Sequence, residues 1–254
     1  MLEWLPVAIE KLYQMMIVTL INVTKKVEEI DEVHAVETEI DDKIMKQIIL
    51  IVLFIASVFS FRVNALTAEQ AFVSAPESVF PLLNKNTRLD MIDYFNSGSA
   101  TPSRNKLSGN SRVTAIKTNI LQFAMSASST CQIAILNLKN GKEIIALIET
   151  VLAPEVDSKI SFYTTEWVPT EERYFVEPEL KDWLTSAGKK NIKEIEALVP
   201  FMLVGYEYDA VNEELMLKNN IKSMLSEDVY ESVASYFKQQ LKYSWTGKQF
   251  KLIK

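Results

Sequence analysis

Apolar residues recur along this chain with two different periods. From Thr67 to Asn96 they fall at spacings of three and four, as in Ala68, Phe72 and Val73, then Val79, Phe80, Leu82 and Leu83, then Leu89, Met91, Ile92 and Phe95. That spacing predicts helices that bury one face. Pro76 and Pro81 break the pattern into two or three short helices, the last opening at Asn86 or Thr87 and closing at Asn96 to Ser99. Ser97 to Ser111, rich in Ser, Asn, Gly and Pro, reads as a long exposed loop. Beyond it the period drops to two. Short runs starting at Val113, Leu121, Ile133, Ile144 and Ile160 are separated by turn residues, and Asn140-Gly141 is the strongest hairpin signal among them. Five consecutive strands with tight turns predict an antiparallel meander.

The remaining pattern predicts a helix at Pro178 to Leu184 that ends near Gly188, and a second short helix at Ile192 to Leu198. A hairpin follows from Phe201 to Tyr208 and Glu214 to Lys218, then an amphipathic helix from Ser226 to Leu241 capped by Ser226. A last hairpin from Lys242 to Ile253 turns at Thr246-Gly247. Strands cluster and helices cluster without regular alternation. The expected class is therefore α+β: an antiparallel meander sheet with short N-terminal helices and a C-terminal helix packed against it.

The N-terminal quarter follows neither pattern. Met45-Lys46-Gln47 precedes a largely apolar run of twelve residues, Ile48 to Phe59, which is followed by Ser60-Phe61-Arg62-Val63-Asn64-Ala65. A basic start, a short apolar stretch, and Val63 and Ala65 at the −3 and −1 positions are the parts of a secretory signal peptide. Cleavage is expected between Ala65 and Leu66. The run is short for a membrane span, which needs about 20 apolar residues. Residues 1–44 read as a mis-assigned upstream extension, because acids crowd Glu28 to Asp42 where a signal or inward-facing anchor prefers Lys and Arg. The alternative is a cytoplasmic segment followed by an uncleaved anchor at 45–61. The expected division is thus 1–44 extension, 45–65 signal peptide, and 66–254 a single domain.

Composition narrows the chemistry. The 254 residues are 48% apolar and 24% charged, with a net charge of −6, which is globular and argues against a nucleic-acid partner. The one His is His34, in the upstream extension, and the one Cys is Cys131, at the head of an apolar run where a buried thiol is expected. Schemes built on a His base depend on His34 alone, and zinc of the usual Cys/His type lacks ligands. No glycine-rich phosphate loop or nucleophile elbow occurs, so neither a metal nor another cofactor is expected. Asp90 and Asp93 share a helix face and invite a carboxylate-pair reading, but acids near a helix start are favoured by its exposed amides. The aromatics offer a different possibility. Tyr206 and Tyr208 alternate along one strand, and together with Tyr163 and Trp167 they form a possible binding surface if their face is open, or a core if it is covered.

The segment Ala75-Pro76-Glu77-Ser78-Val79-Phe80-Pro81-Leu82-Leu83, followed by Asn86-Thr87-Arg88-Leu89-Asp90-Met91-Ile92-Asp93-Tyr94-Phe95, resembles the start of an exported, uncharacterised domain family of Bacteroidales bacteria. Ser161 to Trp167 and Tyr243 to Phe250 are similar to its later landmarks. The resemblance implies export across the inner membrane to the periplasm or cell envelope and adds no reaction. The expected function is a non-enzymatic binding domain whose partner is an envelope protein or glycan, meeting the membrane only through its signal segment. The alternative is an envelope glycan hydrolase using two of Asp90, Asp93, Glu166 and Glu207, which would need two carboxyl groups about 5–10 Å apart in a pocket.

Overall fold

The computed structural model describes residues 65–253, together with Val18, Ile21 and Asn22. The upstream extension with His34 and the apolar run at 45–61 lie outside the described residues, whereas Ala65 and Leu66 lie within them.

The first helix, α1 (Ala68–Ser74), is opened by a capping box in which Thr67 and Gln70 satisfy each other's backbone N–H groups. The second, α2 (Lys85–Asn96), starts earlier than the spacing predicts. Asn84 is its cap, accepting from the Thr87 N–H at 2.8 Å. Both helices present Phe72, Met91 and Ile92 to one core.

The meander follows as six antiparallel strands in sequential order: β1 (Ser103–Arg104), β2 (Asn110–Lys117), β3 (Ile120–Ser126), β4 (Ser129–Asn137), β5 (Glu143–Val151) and β6 (Asp157–Tyr163). Asn140-Gly141 turns β4 into β5, with Gly141 at φ +78°, as the hairpin signal requires. Strands β4 and β5 read as continuous apolar runs because both of their faces are covered. Cys131, Ile133, Ile135, Ile145 and Leu147 pack on the helix side, whereas Ala134, Leu136, Ile144, Ala146 and Ile148 pack into a second core on the other side.

That second core is closed by a four-stranded antiparallel sheet, which the sequence pattern had not separated from the meander. Its order is β10-β9-β8-β7, built from β7 (Val204–Asp209), β8 (Glu214–Asn219), β9 (Gln240–Trp245) and β10 (Phe250–Leu252). Three short helices follow, α3 (Leu180–Trp183), α4 (Ser186–Lys190) and α5 (Ile192–Leu198); Trp183 and Ile195, with Leu184 and Val199 just past the ends of α3 and α5, join the same core. The architecture is α+β with an antiparallel meander.

Two expectations need correction. The loop from Ser97 to Ser111 is not wholly exposed: it holds β1 and a buried turn centred on Asn105, whose side chain accepts from the Leu107 and Gly109 N–H groups and donates to Ser111 and to the Met125 carbonyl. The helix expected from Ser226 to Leu241 is only α6 (Glu227–Val233) plus a 3-10 turn at Ala234–Tyr236. It stops because Phe237 bridges to Leu184 and the Lys238 N–H donates to the Trp183 carbonyl, pulling the chain out of helix and toward β9.

A candidate cleft beside a paired strand edge

Strand β7 is an edge strand whose outward N–H groups belong to Val204, Tyr206 and Tyr208. All three are satisfied by side chains of the large sheet. Asp157 Oδ1 accepts from Val204 at 3.0 Å, Ser158 Oγ from Tyr206 at 3.0 Å, and Gln132 Oε1 from Tyr208 at 2.8 Å. The Gln132 Nε2 then donates back to the Tyr208 carbonyl at 2.8 Å, so one carboxamide pairs with β7 as a neighbouring strand would. Asp157 and Ser158 are in β6 and Gln132 is in β4, so β7 crosses the strands of the large sheet instead of running along them. With these pairings made, none of these three N–H groups is left open to a strand from another chain.

The crossing leaves part of the large sheet uncovered on this side. A cleft of about 640 Å³ lies there, between that uncovered margin and the outward face of the small sheet. Thr114, Gln122, Thr130 and Thr150 form its floor, and Glu207, Met216, Lys218 and Gln240 form its wall. The register places Gln122 opposite Gln132 and Thr130 opposite Thr150, giving rows of amides and hydroxyls across β3, β4 and β5. Glu207 and Lys218 supply opposite charges, so the lining is nearly neutral, and its amides and hydroxyls are set among Ile148, Val156, Met216 and Leu217, which make the surface more apolar than polar.

The four aromatic candidates do not share a face. Tyr163 and Trp167 pack with the helix-side core, 5.2 Å between ring centroids, whereas Tyr206 and Tyr208 pack into the core between the sheets. Trp167 and Tyr208 are buried, and the Trp167 indole donates to the Ala71 carbonyl at 2.9 Å. Burial holds the phenols of Tyr206 and Tyr208 well above their ordinary value. The open aromatic face that the alternation allowed is thus replaced by two separate cores. Only Tyr206 reaches the cleft.

The carboxylate candidates are also dispersed. Asp90 and Asp93 are exposed on α2, and Arg88 does not bridge to them: it is buried with its guanidinium 6.0 Å from the Phe80 ring centroid. Hydrogen bonds from Thr165 and Thr164 hold the Glu166 carboxyl below its usual value, opposite to what a proton donor needs. Of the four, Glu207 alone lines the cleft. Cys131 is buried, and desolvation together with the Glu149 carboxylate pushes its thiol up to about 12. Among the described residues, no group of three or more His, Cys, Asp or Glu side chains is placed to hold a metal ion. No helix among them is long and apolar enough to cross a membrane.

The residues that build the cleft carried no signal in the sequence beyond β-strand alternation, because Gln and Thr in a strand look the same whether they face solvent or a cleft. Comparison with known proteins supplies a family and a fold. No curated protein matches the chain. Among solved structures it is similar to a domain of an uncharacterised protein from Porphyromonas gingivalis W83, at 23% identity, covering 73% of this chain and 98% of that one with a TM-score of 0.61. The model of a family described as proteins of unknown function, DUF3256, matches residues 60–250. That match, across most of its length, makes this chain a member of the DUF3256 family.

Proposed function

We propose that this is an exported cell-envelope protein and that its domain binds, without chemical turnover, an uncharged hydroxyl-rich ligand of the glycan class in the cleft beside β7. The observation that carries the reading is the lining: side-chain amides and hydroxyls at Thr114, Gln122, Thr130 and Gln240 set among the apolar Ile148, Val156 and Met216, with one carboxylate and one ammonium of opposite sign. Such a surface can pair with sugar hydroxyls while its apolar side chains take the C–H faces of a sugar ring, and it offers no net charge to an ion. Hydrolysis would ask for a second carboxyl group facing Glu207, and the other candidate carboxylates belong to other parts of the surface. Export is supported by the basic start, apolar run and small residues Val63 and Ala65 ahead of the domain.

Titration of the 15N-labelled protein with envelope oligosaccharides tests the binding site. The expected result is saturable shifts of the Thr114, Thr130 and Gln240 amides, with Gln240→Ala weakening binding roughly tenfold, the value of one or two lost hydrogen bonds. Oligosaccharides that move none of these amides, or that are cleaved, overturn the reading. For export, the N-terminus of the protein from its native cells is measured by mass spectrometry and expected at Leu66.

A further inference from the structure

Along residues 65–253, the first backbone group held by a distant part of the domain is the N–H of Leu66. The Leu66 N–H donates to Glu143 Oε2 at 2.9 Å, across 77 positions of sequence, at the start of β5. Thr67 caps α1 and the Ala68 N–H donates to the Thr118 carbonyl at 3.0 Å, while the Leu66 side chain packs against the helix-side core. One residue earlier, Ala65 is exposed. The change from exposed to anchored backbone therefore falls on the peptide bond that the signal-peptide pattern marks for cleavage.

We propose that Glu143 is the receptor for the α-ammonium group that cleavage after Ala65 creates on Leu66. This rests on the export reading above. Hydrolysis by an envelope peptidase breaks the Ala65–Leu66 C–N bond. Water's hydroxyl goes to the Ala65 acyl carbon and its hydrogen to the Leu66 nitrogen, which takes a further proton from solvent at neutral pH. An amide that donated one hydrogen bond to a carboxylate becomes a cation beside that carboxylate, so a neutral-to-charged contact becomes an ion pair in the same place. Because the Leu66 nitrogen is engaged in the folded domain, cleavage belongs before folding, and docking of the new terminus on Glu143 afterwards fastens α1 to the β4–β5 hairpin.

The solved Porphyromonas gingivalis structure of similar fold is a domain covered over 98% of its length, which supports treating the chain from Leu66 onward as a unit of its own. The test is a thermodynamic cycle on this domain beginning at Leu66. One axis is the free amine against the N-acetylated chain, which keeps the N–H but not the charge. The other axis is Glu143 against Glu143→Gln. With Glu143 present, the free amine is expected to lower the unfolding equilibrium constant roughly two- to fivefold, as a partly exposed ion pair does. That gain is expected to disappear in Glu143→Gln and to shrink in high salt. If Glu143→Gln does not fold, Glu143→Asp, one methylene shorter, takes its place and is expected to lose most of the gain. Equal gain with and without the carboxylate, or no gain, overturns the proposal even when the native chain starts at Leu66. A native start elsewhere overturns it too, and then the export reading fails with it while the cycle still reports the contact.

Discussion

Gln132 sits in the middle of β4 with its carboxamide turned toward β7, accepting from and donating to the Tyr208 backbone at 2.8 Å in each direction. Replacing it by Met keeps the length and removes both partners, leaving a buried N–H and a buried C=O unpaired. The expected cost of Gln132→Met is about 2–4 kcal/mol in urea unfolding, and a value within experimental error of zero would show that water or a shifted β7 takes over the pairing. Nothing in the sequence marks this residue, because a Gln between Cys131 and Ile133 reads as an outward position of an alternating strand. Cys131 was legible as a buried thiol because the run that follows it is apolar. Trp167 was legible only as an aromatic. Its backbone takes φ +62°, a conformation that disfavours bulky side chains by about 1–2 kcal/mol, and the indole bond to Ala71 together with packing against Phe80 and Tyr163 holds it there.

Among elements, the meander was readable because each strand is bounded by its own turn residues, and Asn140-Gly141 fixed the pairing of β4 with β5. The stretch around Asn105 was not, since the polar residues that make a solvated loop also make a buried turn when one side chain collects four hydrogen bonds. The end of α6 was hidden for a different reason. The sequence carries helical spacing on through Leu241, and a long-range pairing of Phe237 with Leu184 overrides it. The same junction explains Gly188 inside α4, where an added methyl group would stand 2.6 Å from the Tyr236 carbonyl oxygen and 3.2 Å from the Leu184 Cβ. Gly188→Ala is expected to destabilise the domain by about 1–3 kcal/mol, because the backbone that lies against it has to move. Thermal unfolding measures this. An unchanged or raised midpoint would mean that helix propensity outweighs the clash.

For the molecule as a whole, the class was legible and the division into two crossed sheets was not, because crossing depends on which side chains meet β7. The core between the sheets holds a set of phenols whose ionisation is resisted by burial: Tyr174 and Tyr243 are pushed up to about 12, and Tyr206 and Tyr208 are raised as well. In the unfolded chain these groups ionise near pH 10, so above that value the unfolded state loses protons first. Stability is full below about pH 10 and falls as pH rises toward the folded-state values, by about 1.4 kcal/mol per pH unit for each tyrosine involved. Denaturant titrations between pH 8 and pH 12 should therefore show a flat region followed by a steep decline, and an alkaline limb no steeper than that of a chain lacking Tyr206 and Tyr208 would contradict this.

The sealed edge of β7 also fixes an order of assembly. Gln132, Asp157 and Ser158 take up the spacing that matches alternate residues of β7 only once β4, β5 and β6 have paired, so β7 is received on its outer edge only by a formed large sheet. The chain is synthesised in that order, meander first. In the interval before β7 arrives, its edge is bare and able to join another molecule's strand. The three side chains that receive β7 close that exposed edge once it docks.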